Sequence, residues 1–191
     1  MSYKNENMKM IELHENGLDI QFRIRENGVV ELADFSSQEV KKAVMEPKED
    51  ICYPAVEIHR SGTGSLNMHA YKNNINQSSV DFVYENHELK AQAGGKELEI
   101  VMISPEKLKA VYHMRLFDGV PAVQTWTEII NEGSEDQGLT YVSSFMYQGI
   151  SRGGEKPYYK KTDIYVPFNS WCCEAPVSYT HLRAHETLSD L

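Results

Sequence analysis

The chain runs toward its end through His181-Leu182-Arg183-Ala184-His185-Glu186, and two histidines four residues apart with a glutamate behind them raise the question of a metal. On a helix, positions i and i+4 share one face, so two imidazoles could meet one zinc ion. The zincin order is H-E-x-x-H, with the glutamate inside the pair where it acts as base on the metal-bound water. Here the glutamate lies outside, so the spacing reads as an exposed tail and no metal ligand is assigned. The other five histidines, His14, His59, His69, His87 and His113, fall on different segments and are each expected to be surface or hydrogen-bonded residues. Gly62-Thr63-Gly64 lacks the third glycine of a dinucleotide fingerprint, because position 67 is Asn67. Nucleophile elbow, P-loop and C-x-x-C pair are all missing, and no cofactor is expected.

Carboxylates are numerous, and a glycosidase needs two of them about 5 to 9.5 Å apart across a sugar. Asp118, in the turn-like Asp118-Gly119, reads as a turn-forming side chain. Glu128, beside Trp126 and Thr127, reads as a solvent-facing strand position. Trp126, Trp171 and eleven tyrosines could include a platform for stacking sugar rings, against the commoner use of aromatics in a core or interface.

These residues must be positioned by strands. LDIQFRIR from Leu18 alternates apolar and polar residues, Glu26-Asn27-Gly28 turns the chain, and VVELADFS returns, which predicts a hairpin. Residues 38–50 read as irregular, and Val56 to His59 as a short strand. The polar run from Ser61 to Ser79 reads as a long loop, of a kind that is often functional. Two further hairpins follow, one around Gly94-Gly95 and one around Asp118-Gly119, with Pro121 at the start of its strand where a missing N–H does little harm. GLTYVSSFMYQGI and TDIYVPF supply two more strands. Val, Ile, Tyr, Phe and Thr recurring at period two, with turns between, predict an all-β antiparallel sandwich.

Composition narrows the partners. A hydrophobic fraction of 41% with 25% charged residues fits a globular chain and excludes a disordered one. The formal charge of −9 argues against nucleic acid and anionic membrane surfaces, which need clustered Lys and Arg. No stretch has the apolar core of a signal peptide or membrane span, so a cytoplasmic location is expected. Cys52, Cys172 and Cys173 make no disulfide framework and are expected to be reduced.

Two stretches are more specific: DGVPAVQTWTEIINEGSEDQGLTYVSSFMYQGI and TDIYVPFNSWCCEAPV. They resemble the N-terminal β-sandwich domain of the glycoside hydrolase family 36 α-galactosidases. The matching residues are Trp126-Thr127-Glu128 with Asn131, Tyr141-Val142-Ser143-Ser144-Phe145, and Asn169-Ser170-Trp171 with Glu174-Ala175; VVELADFS fits weakly. The resemblance covers about residues 10 to 175. It implies a β-supersandwich of the galactose mutarotase-like kind packed on a catalytic barrel. The parent enzyme would remove terminal α-linked galactose with retention and work as a homo-oligomer. In that family both catalytic aspartates lie in the barrel, which needs on the order of 250 residues, whereas 16 follow Ala175 here. The resemblance therefore implies a fragment, inactive alone, whose partner is the missing barrel of the same polypeptide and which meets an α-galactoside only through the parent. No catalytic residue is carried over. Asn169, Ser170, Trp171 and Glu174 are the expected interdomain contacts, and His69 and Tyr71 in the polar loop the expected rim of a neighbouring site. Two rivals remain: a free-standing carbohydrate-binding sandwich, and a mutarotase-like epimerase using His113 or His69 with Glu128.

After Ala175 the sequence leaves the family pattern. VSYTHLRAHET is what a common transposase-type sequencing adapter encodes in one frame, and an eight-base index followed by the adapter's ATCTC accounts for Leu188 through Leu191. Residues 1–175 are thus expected to be the natural domain, and 176–191 a non-native, disordered tail with Pro176 at the junction.

Overall fold

A computed structural model describes residues 9–37, 53–64, 77–147, 163–167 and 177–181. The chain divides into two compact units, Met1–Gln148 and Gly149–Leu191.

In the first unit, β1 (Lys9–Glu15), β2 (Leu18–Ile24) and β3 (Val30–Ser37) form an antiparallel sheet in sequence order. β1 is a strand that the sequence reading passed over. Its turn is the Asn16-Gly17 dipeptide, with φ of 52° and 81°, the left-handed pair that a two-residue hairpin demands. A second sheet runs β5 (Val83–Gln92), β6 (Gly95–Ile103), β7 (Leu108–Phe117) and β8 (Val120–Asn131), again antiparallel in sequence order. Pro121 is the second residue of β8, an edge strand among the described residues. Gly95 is required by contact, because a Cβ there would lie 1.9 Å from the Leu116 carbonyl oxygen.

Alternation decides which faces meet. Ile20, Phe22 and Ile24 of β2 and Leu98, Ile100 and Met102 of β6 are buried in one apolar cluster, together with Ala110, Tyr112 and Met114 of β7. The Phe22 and Tyr112 rings meet edge to face at 5.7 Å. Full burial of such a side chain contributes about 1.5–3 kcal/mol. β3 is buried on both faces, and its second face holds charge: Glu31 accepts from Arg23 Nε at 3.0 Å, Arg25 Nη1 at 3.1 Å and the Tyr53 amide at 2.9 Å. Asn16 clasps the two sheets at one end. Its amide donates to the Phe117 carbonyl at 2.9 Å and its side-chain oxygen accepts from the Gly119 amide at 3.0 Å.

A short pair, β4 (Ile58–Arg60) with β9 (Leu139–Val142), completes the described part of this unit. The predicted long loop ends in a helical turn, α1 (Gln77–Val80). Its buried Ser79 accepts from the Ile58 amide at 2.8 Å and donates to the Ile58 carbonyl at 3.0 Å, so the end of the loop is pinned to β4. Residues 65–76, with His69 and Tyr71, lie outside the described residues.

The second unit contains β10 (Asp163–Pro167) and β11 (Val177–His181), paired antiparallel from Val177 opposite Pro167 to His181 opposite Asp163. Val177–His181 lie within the segment expected to be a non-native tail, and these five residues are paired as a strand. Val, Tyr and Thr suit a strand whatever the origin of the segment. His181 therefore sits on a strand, which removes the helical-face argument for pairing it with His185. No helix among the described residues is long and apolar enough to cross a membrane.

Candidate functional site

The face of the four-stranded sheet turned away from the core gathers the polar side chains. Register makes this inevitable: Glu99 lies opposite His113, His113 opposite Trp126, Glu97 opposite both Lys90 and Arg115, and Val111 opposite Glu128. Partners directly across an antiparallel ladder point to the same side. Glu97 and Glu99 are two apart on β6, so they also share that side.

At the centre is His113, whose side chain is 10% exposed. Its Nδ1 lies 2.9 Å from Glu97 Oε1 and 4.0 Å from Glu99 Oε1, and its Nε2 lies 3.8 Å from Glu128 Oε2. A carboxylate only accepts, so Nδ1 carries the proton toward Glu97. The buried Nε2 makes no hydrogen bond. Trp126 stacks on the imidazole at 4.6 Å between centroids with a 6° interplanar angle, which fixes the ring plane. Lys90 pairs with the second oxygen of Glu99, and Arg115 donates to the Ala93 carbonyl at 3.1 Å. One oxygen or nitrogen from each of Glu97, Glu99 and His113 lies within 4.8 Å of the others.

The other sequence candidates separate. Asp118 sits at the β7–β8 turn, while Glu128 lies opposite Val111, six residues along β7 from Phe117. At about 3.3 Å per residue they are ~20 Å apart, too far to flank one glycosidic bond. Glu128 is 57% exposed in its side chain, as its reading as a solvent-facing position expects. His14 pairs with Asp19 at 2.6 Å, His59 with Glu57 at 3.0 Å, and His87 with the Tyr84 hydroxyl at 2.8 Å. These three are hydrogen-bonded residues, as expected. The Asp19 hydrogen bond raises the pKa of His14, and burial followed by the nearby Lys9 charge lowers that of His87. Burial also pushes the Tyr112 hydroxyl well up, leaving it neutral in the core. Asn169, Ser170, Trp171 and Glu174 lie outside the described residues.

His113 and Glu128, the epimerase pair, are brought together, yet the imidazole is already engaged by Glu97 and covered on one face by Trp126. Sequence reasoning missed Glu97 and Glu99. The available signal was their i, i+2 spacing on a strand one turn before His113, which needs only the hairpin register to place all three on one face.

The motif residues serve the scaffold. The Thr127 hydroxyl donates to the Ser143 carbonyl at 2.9 Å. Ser143 bonds twice to Glu57, the residue before β4: its amide donates to the Glu57 carbonyl and its hydroxyl accepts from the Glu57 amide, both at 2.8 Å. Asn131 closes the following turn through the Gly133 amide at 3.0 Å and the Glu135 carbonyl at 2.9 Å.

Fold and register together define an all-β antiparallel sandwich. No protein-family profile and no curated protein matches the sequence. Among solved structures, the chain is similar to the glycoside hydrolase family 36 α-galactosidase AgaA from Geobacillus stearothermophilus, at 13% identity and a TM-score of 0.50, over 92% of this chain and 28% of that enzyme. It also matches an α-galactosidase from Lactobacillus brevis at 13% identity and a TM-score of 0.49, over 95% of this chain and 28% of that one. The chain thus spans 28% of the length of either enzyme, and at this identity the likeness concerns the fold.

Proposed function

We propose that this chain is the non-catalytic N-terminal β-domain of a family 36 α-galactosidase, the parent enzyme hydrolysing terminal α-linked galactose with retention. The observation that carries the reading is the coincidence of two resemblances, one in motif and one in fold. Segments that look like the family motifs form β8 and β9, and the fold built around them is shared with 28% of an α-galactosidase. The roles found for Thr127, Ser143 and Asn131 support it, since a motif kept for scaffold reasons would consist of such bonds. The catalytic carboxylates would then belong to a barrel beyond this chain, and the chain alone would be inactive. Residues 177–191 would be translated adapter sequence. The epimerase reading is not advanced, because Nε2 of His113 is buried.

The test is to read the source DNA through the Ala175 codon and assay the complete product on an aryl α-galactoside. A downstream barrel with α-galactosidase activity, and no activity in the 191-residue chain, is the expected result. A genomic read that continues with VSYTHLRAHETLSDL and a stop would overturn both the adapter account and the reading of a truncated domain.

A further inference from the structure

We infer that Glu97, Glu99 and His113 form a binding site for a divalent transition-metal ion, with Glu128 orienting the imidazole from the opposite side. The first argument is geometric. A tetrahedral ion with ligands at about 2.0–2.1 Å holds neighbouring ligand atoms ~3.3 Å apart. The distances from His113 Nδ1 to Glu97 Oε1, 2.9 Å, and to Glu99 Oε1, 4.0 Å, bracket that edge, and one ligand atom from each of the three residues lies within 4.8 Å of the others, so side-chain adjustment would complete three corners. The ligands come from two adjacent strands in the middle of a four-stranded sheet, which holds their backbones rigidly.

The second argument concerns the far nitrogen. A metal on Nδ1 displaces the proton that now faces Glu97 and leaves the imidazole protonated on Nε2. That N–H then needs an acceptor, and metal-bound histidines commonly donate their other N–H to a carboxylate. Nε2 is buried without a hydrogen bond, and the nearest carboxylate, Glu128, stands 3.8 Å away on a half-exposed side chain that is able to close the gap. Without a metal this nitrogen has no evident role. The stacked Trp126 keeps the ring in the plane both contacts require.

Charge points the same way. On this face Glu88, Glu97, Glu99 and Glu128 outnumber Lys90, Lys109 and Arg115, and the cation beside the site, Lys90, takes the oxygen of Glu99 that the metal would not use. One imidazole with two carboxylates suits Zn²⁺ and its first-row neighbours, whereas Mg²⁺ and Ca²⁺ prefer oxygen alone.

The experiment is titration of the metal-stripped 191-residue chain with Zn²⁺ against a chromophoric chelator, with circular dichroism on every variant. The expected result is one saturable site that His113→Ala abolishes and that Glu128→Ala, at an exposed position that the fold tolerates, weakens by about 10–100-fold. His181→Ala/His185→Ala and Cys172→Ser/Cys173→Ser should leave that site unchanged. Failure to take up Zn²⁺, uptake indifferent to Glu128→Ala, or uptake lost in the His181/His185 or Cys172/Cys173 variants would overturn the assignment. Should His113→Ala fail to fold, Glu128→Ala decides alone.

Discussion

Replacing Glu31 with alanine would test whether the charge buried behind β3 holds the first sheet together. The Glu31 side chain is 2% exposed and balances Arg23 and Arg25, whose side chains are 5% and 13% exposed. Each hydrogen bond to a charged group contributes about 1.5–3 kcal/mol, so the two guanidinium contacts alone would total ~3–6 kcal/mol if they were additive. They are not additive, because Arg25 can turn outward and recover water when its partner goes. Arg23 has less freedom, and taking away the carboxylate of a buried pair costs about 3–5 kcal/mol. That is a large share of the ~5–15 kcal/mol by which a domain is stable. At about 2–4 °C per kcal/mol for a chain of this size, the midpoint should fall by ~6–20 °C. Urea unfolding followed by far-UV circular dichroism gives the free energy, and a thermal scan the midpoint. A loss below ~1 kcal/mol for Glu31→Ala would refute the reasoning and mean that water or other groups already screen the arginines.

The same assays apply to the clasp between the sheets. Asn16→Ala removes two hydrogen bonds and places a β-carbon residue without a polar side chain at φ 52°, so a loss of about 1–3 kcal/mol is expected; a loss under ~0.5 kcal/mol would show that the clasp is incidental. His14 should titrate above 6.5 by proton NMR, and Asp19→Asn should bring it back toward that value. Because the folded pKa is raised, the pair's contribution to stability is complete below about pH 6.5 and disappears as the pH climbs through the folded value. An unchanged His14 titration in the variant would remove Asp19 as the cause.

Much of this fold was legible because period-two alternation is a local signal. The hairpins around Asn27-Gly28, Gly94-Gly95 and Asp118-Gly119 all carry their own turn chemistry, and each forms. β1 was overlooked although Asn16-Gly17 announced its turn, because Lys9, Glu12 and Glu15 in KMIELHE recur every third residue and blur the period-two signal of a strand. The cluster at His113 was illegible for a different reason. Its members are brought together by cross-strand register between β6, β7 and β8, and a scan along the chain sees only the spacing within one strand. His181 shows the reverse case. A helical spacing was weighed from a residue that itself pairs as a strand.

The Asn16 clasp has a consequence for how the protein is made. Its partner Phe117 is 101 residues downstream. At about 5–20 residues per second, a ribosome that has finished β2 needs a further ~5–20 s to deliver that partner. Two-state β-sandwiches fold in milliseconds to seconds once all of their strands are present. Synthesis, and not the search for structure, would then set the pace. During that interval the nascent first sheet holds Ile20, Phe22 and Ile24 with the other half of their core still unmade, and its yield in a cell depends on what shelters them until β7 emerges.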